Sequence, residues 1–209
     1  MSITHPKKGE KASLVALAKG NAQSLLTQHS NKNKDSFEES LKNLFDFSSL
    51  PKRIEIFDNS HLGGVAPVGA MVVWEDGFQK SSYRKYTLHV KDEYAQMREM
   101  LERRIQDFEK ESPPDVWVLD GGETLLKLAK KLLSRVNVHI DLLAIAKEKI
   151  DAKANRSKGR AYYTVYNITQ SYQLPPSDKR LQFIQKLRDE AHRFAISFHQ
   201  KKKRTSDLE

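Results

Sequence analysis

The chain has 209 residues, 38% of them hydrophobic and 30% charged, with a net charge of +9 and a pI near 9.5. That length suits one domain, or one domain with an appendage, and such a basic field attracts polyanions, nucleic acid first among them. The absence of cysteine excludes a disulfide framework, a thiolate nucleophile and the usual zinc cluster, while the lack of a signal peptide or of any apolar run near ~18 residues predicts a soluble, cytoplasmic chain.

Leu14, Leu17, Ala18 and Leu25 recur at helical spacing. The segment "HSNKNKD" after them is polar and aperiodic, a linker. Ser36 and Glu39 form a capping-box pattern ahead of Leu41, Leu44 and Phe45. Residues 1–50 are therefore expected to form a helical arm, and residues 51–200 the core domain. Segment 54–58 reads as a strand, and 68–75 and 79–90 as two more, joined through the hairpin signal Asp76-Gly77. Tyr94, Met97, Leu101, Ile105 and Phe108 mark an amphipathic helix that ends before Pro113-Pro114. "DVWVLD" is a short, nearly all-apolar strand, as central strands are. Gly121-Gly122 turns it into a Leu-rich helix over 125–133, and "DLLAIA" is a further buried strand. "AYYTVYNI" is strand-like, and a last helix carries Leu181, Ile184, Leu187, Ala191, Ala195 and Phe198. Residues 201–209 are expected to be a basic, mobile tail.

The resulting fold class is α/β: an antiparallel three-strand meander followed by βαβ units, giving a mixed sheet flanked by helices. In open α/β sheets, sites gather outside the carboxyl ends of parallel strands. Asp58 and Asp120 both close apolar strands. If those strands are parallel neighbours, the two carboxylates face each other and repel when ionised. A hard divalent cation, Mg²⁺ or Mn²⁺, relieves that repulsion. Asp at a strand end is also ordinary turn chemistry, so neither residue decides the matter alone. His192 shares a helical face with Arg188 and Asp189 beside the apolar stripe, where it is placed to ligate a metal, relay a proton, or simply sit satisfied at the helix edge. His61 and His199 are weaker candidates. Asp92 reads as a helix N-cap, and Glu93 as a first-turn acid or one further carboxylate of the site. In "YRKY", Arg84 and Tyr86 share one strand face, Tyr83 and Lys85 the other.

The motifs "FDNSH", "DEYAQMREMLERR", "PDVWVLDGG", "LLAIAKE" and "LRDEAHRFAISFH" follow one another in the order and spacing of the UvrC family, and "PKKGEKASLVALAKGNA" resembles the segment preceding its nuclease domain. UvrC is the nuclease subunit of bacterial nucleotide excision repair. The resemblance implies a ribonuclease H-like fold and a metal-dependent endonuclease that makes the incision 5′ to a lesion, on DNA presented by UvrB. It implies Asp58, Asp120 and His192 as the catalytic and metal-binding triad. Arg84, Lys85, Arg98, Lys147, Arg188 and Arg193 are the candidate phosphate contacts, and a monomer is expected. Three positions depart from the family pattern. Glu93 stands where Asp is usual, Glu123-Thr124-Leu125 replaces Lys-Gly-Gln, and "HLGG" replaces "HTQG". The helix-hairpin-helix repeats and UvrB-binding segment of the full-length family have no counterpart here, so the chain reads as an excised piece. The rival readings are a non-catalytic nucleic-acid or partner-binding module on the same fold, and another ribonuclease H-like nuclease.

Overall fold

The computed structural model describes residues 9, 13–21, 36–60, 67–90, 92–148 and 162–206, with backbone only at 60, 148 and 198–206. Leu25, the 29–35 linker, His61 and the glycines at 63 and 64 lie outside the described residues. The chain divides into two compact units, Met1–Ser40 and Leu41–Glu209. In the first, helix α1 covers 13–21 and leaves Leu14 and Leu17 exposed. Helix α2 (Phe37–Phe45) opens with the expected capping box. Ser36 N donates to Glu39 Oε2 at 2.7 Å, and Glu39 N donates to Ser36 Oγ at 3.1 Å.

The second unit is built on a seven-stranded sheet in the order β3-β2-β1-β4-β5-β6-β7. The strands are β1 (Arg53–Ser60), β2 (Val68–Glu75), β3 (Arg84–Thr87), β4 (Val116–Asp120), β5 (Asp141–Glu148), β6 (Tyr162–Tyr166) and β7 (Ser171–Tyr172). Strands β1, β4 and β5 are mutually parallel and the other pairings antiparallel. Helices α3 (Glu93–Gln106) and α4 (Glu123–Val136) cover one face, and α5 (Lys179–Ser206), with Leu41 and Phe45 at the end of α2 that belongs to this unit, the other. This is the expected meander followed by βαβ units. Among the described residues, no helix is long and apolar enough to cross a membrane.

The strand pleat sorts side chains between the two layers. Ile54 and Ile56 of β1, with Val116 and Val118 of β4, pack toward α5. Phe57, Trp117 and Leu119 pack toward α3 and α4. Strand β4 is buried on both faces, which is why its sequence is a continuous apolar run. Each such side chain, fully buried, contributes roughly 1.5–3 kcal/mol.

Glu55 interrupts this pattern, and helix α3 explains it. Its carboxylate accepts from Arg104 Nε at 2.9 Å, Arg104 Nη2 at 2.8 Å and Trp117 Nε1 at 3.0 Å. The two charged side chains are fully buried, and the rest of the guanidinium donates to the carbonyls of Glu111 and Ser112. Completed in this way, the pair fixes α3 on β1. Gly69 lets the same helix approach β2, because a Cβ there would lie 2.0 Å from Met100 Sδ.

Three elements differ from the sequence reading. Asp76 and Gly77 make the turn, with φ of 53° and 148°, but the returning strand is short. A 3-10 turn over Lys80–Ser82 intervenes, held by Ser82 N donating to Gln79 O and by Gln79 Nε2 donating to Glu75 O. Strand β7 follows a turn built by Asn167, whose Oδ1 accepts from the backbone of Thr169 and Gln170. Helix α5 continues to Ser206, beyond the expected start of the basic tail. No Gly or Pro interrupts it, and Lys, Gln and Arg are good helix formers.

Candidate active site

Strands β1 and β4 run parallel in register from the Ile54–Val116 couple to Phe57–Leu119. The next residue on each is an aspartate, Asp58 on one and Asp120 on the other. Period-two alternation puts both on the α5 face, with Ile56 and Val118. After Asp120 the chain must leave the sheet at once. Gly121 does this at φ 149°, its N donating to Ile145 O at 2.9 Å, and a Cβ there would lie 2.5 Å from Leu125 Cδ1.

Helix α5 brings the third residue. Ala191 and Ala195 are buried against the sheet, and His192 beside them meets β1. The carboxylate of Asp58, a buried residue, accepts from His192 Nδ1, with 3.1 Å between Nδ1 and Oδ2. The imidazole is about half exposed (54%). Burial pushes the Asp120 carboxyl up to about 6, and the neighbouring Asp58 adds to the rise; Arg188 and His192 pull the other way.

Arg188 stands one turn before His192 on α5. It donates to Asp189 Oδ1 at 2.6 Å, and its guanidinium lies 4.7 Å from the centroid of the Tyr163 ring. Burial works against its charge, but hydrogen bonds to Tyr163 and Asp189 outweigh it and hold the pKa above the ordinary arginine value.

The structure therefore brings Asp58, Asp120, His192 and Arg188 together, and distributes the other candidates around and away from them. Lys147 is exposed at the end of β5. Lys85 Nζ sits 5.1 Å from the Phe194 ring centroid on the α5 side. Arg193 is bonded twice to Glu190, at 2.6 and 2.7 Å. Arg84 points to the opposite face, where it pairs with Asp107 and Glu111. Arg98 lies over Tyr94 of its own helix at 5.3 Å. Asp92 caps α3, accepting from Ala95 N at 2.8 Å. Glu93 follows in the first turn, and its carbonyl accepts from Asn59 Nδ2 at 2.9 Å. Glu93 thus belongs to the helix on the far face of the sheet from the aspartate pair. His199 has only its backbone described. Among the described residues, no three His, Asp or Glu side chains form a ready metal cage. The centre is a carboxylate pair with a histidine bonded to one member. Tyr163 is the neighbour that sequence reasoning missed, because only the β5–β6 register places it here.

A model of the UvrC RNAse H endonuclease domain matches residues 42–196. The chain belongs to that family. UvrABC system protein C of Aliarcobacter butzleri is 52% identical over 99% of this chain and 35% of its own length. The namesake protein of Wolinella succinogenes is 52% identical over 98% of this chain and 34% of its own. The chain thus spans about a third of the length of the curated relatives it matches. Among solved structures, endonuclease V of Ciona intestinalis in complex with DNA aligns at a TM-score of 0.36 and 18% identity, over 66% of this chain and 63% of that one. The ribonuclease H-like fold of the family accords with the strand order described above.

Proposed function

We propose that this chain is a metal-dependent DNA endonuclease domain that makes the 5′ incision beside a lesion in nucleotide excision repair. The observation that carries the reading is the alignment of Asp58 and Asp120, in one row and on one face, closing two adjacent parallel strands. Membership of the UvrC endonuclease family supports it. A buried carboxylate and a largely buried one, the second with its proton affinity raised by burial and then by the first, form an oxygen-donor set suited to Mg²⁺ or Mn²⁺. Asp58 and Asp120 would hold the ion, which when bound supplies Lewis-acid polarisation of a phosphodiester and an activated water.

The chain's own residues do the rest. His192 Nδ1 is engaged with Asp58, which leaves Nε2 for either of its two open roles, ligation or proton transfer. We assign it proton transfer, with Nε2 exchanging a proton with the attacking water or leaving oxygen. The hydrogen bond from Nδ1 orients both the ring and the Asp58 carboxylate. Arg188 offsets the carboxylate charge near Asp120 and with Lys147 and Lys85 offers cations to the DNA backbone. Arg84 faces the other side of the sheet, paired with Asp107 and Glu111, and Arg193 is paired with Glu190. Damaged duplex DNA and UvrB are the partners of this reading, with the chain acting as a cytoplasmic monomer.

The test is incision of a lesion-bearing duplex by the full-length protein with UvrB. Asp58→Ala and Asp120→Ala should each abolish the 5′ cut. Retention of the 5′ cut by either variant removes the assignment.

A further inference from the structure

Toward the β5–β6 side of the aspartate pair lies a second group of side chains. Tyr163 stands opposite Lys147 in the β5–β6 register. Both are on the α5 face: Tyr163 packs with the α5-side core, and Lys147 follows Leu143 and Ile145 of that core at period two. Asp120 pairs with Ile145, so Lys147 lies two residues further along β5, ~7 Å in the strand direction. Arg188 reaches the same shelf from α5. Its side chain is only 18% exposed, lies against the Tyr163 ring at 4.7 Å, and is bonded to Asp189 at 2.6 Å. A guanidinium held by the Tyr163 ring and hydroxyl and by one carboxylate beside it carries five N–H donors, more than these partners take up. That arrangement is pre-organised for bidentate capture of a phosphate.

We infer that Lys147, Tyr163 and Arg188 form a second phosphate-binding subsite, which takes the backbone phosphate next to the one presented to Asp58 and Asp120. Arg188 and Lys147 touch the ligand, and Tyr163 is a positioning residue that acts through Arg188. The inference rests on the nuclease reading for the strand's identity as nucleic acid. It adds the direction in which that strand leaves the carboxylates, across β5 toward β6.

The experiment is equilibrium binding of a short fluorescein-labelled DNA duplex by the 209-residue chain, with chelator present so that nothing is cut, over a salt series. Arg188→Gln should weaken binding and reduce the slope of log affinity against log salt by about 1. Tyr163→Phe keeps the ring but loses the hydroxyl bonded to Arg188, and should bind between the parent and Arg188→Gln. Tyr163→Leu should match Arg188→Gln, and the double variant should lose no more than Arg188→Gln alone. Thermal unfolding of each variant is recorded in parallel, and Arg188→Gln with Tyr163→Phe carries the test if Tyr163→Leu does not fold. The subsite is overturned if the parent shows no binding at low salt, or if Arg188→Gln leaves the slope unchanged. Additive losses in the double variant overturn the positioning role of Tyr163. Incision is read separately: 5′ cutting by Asp120→Ala would remove the nuclease reading, whereas the salt slope judges the subsite alone.

Discussion

Replacing Asp120 with Asn should stabilise the protein. The carboxyl is raised from 3.8 to about 6, first by burial and then by Asp58. That rise corresponds to about 3 kcal/mol that the ionised group costs the folded state. The sign follows from linkage. Between pH 3.8 and about 6 the folded chain binds the proton more tightly than the unfolded one, so stability falls as pH rises through that window and the cost is complete above it. Asn fills nearly the same volume without the charge. In chelator, urea unfolding at pH 7.5 should show Asp120→Asn more stable by ~1–3 kcal/mol. The advantage should shrink below pH 6 and fall under ~1 kcal/mol near pH 4. The same variant should not incise. An Asn variant no more stable than the parent at pH 7.5, or an advantage that does not change with pH, would refute the reasoning.

Other expectations follow from the same geometry. His192→Ala should slow single-turnover 5′ incision by ~10²–10⁴-fold while leaving duplex binding within about twofold, since the imidazole is assigned to proton transfer and not to affinity; parent-like cleavage would exclude the role. Glu55→Ala leaves the Arg104 guanidinium buried without its carboxylate, and should cost about 3–5 kcal/mol in urea unfolding; a loss below ~1 kcal/mol would show that water reaches the cluster. Gly69→Ala drives a methyl against Met100, and should lower stability by ~1–3 kcal/mol as α3 is displaced or Met100 repacks, read by the shift in unfolding midpoint; no shift would mean that the contact is loose.

The grouping of Asp58, Asp120 and His192 was legible in the sequence because each residue stands at a place that local periodicity marks. Asp58 and Asp120 end apolar runs of the kind that central strands require, and His192 falls beside the stripe of Ala191 and Ala195. Their convergence depended on β1 and β4 being parallel neighbours, which the element order implies. The charged core was not legible. Arg104 sits among the helical positions of α3 like any surface arginine, and its partner Glu55 is 49 residues away. No short-range rule pairs them. What sets the cations apart was not legible either. Arg84 and Arg193 look alike in sequence, but Asp107 and Glu111 engage the first and Glu190 the second, and those carboxylates come from other elements or another turn. The shelf under Arg188 needed the register of β5 against β6, set by pairing and invisible in the string "AYYTVY".

The central claim is that Asp58 and Asp120 together hold the ion that cuts DNA. A crystal of this chain grown with Mn²⁺ tests it most directly, through anomalous scattering at the manganese edge. The account predicts a peak bound by oxygens of both Asp58 and Asp120, with His192 still bonded to Asp58. A chain that folds as described yet shows no manganese between the two aspartates, or shows it only elsewhere, would contradict it.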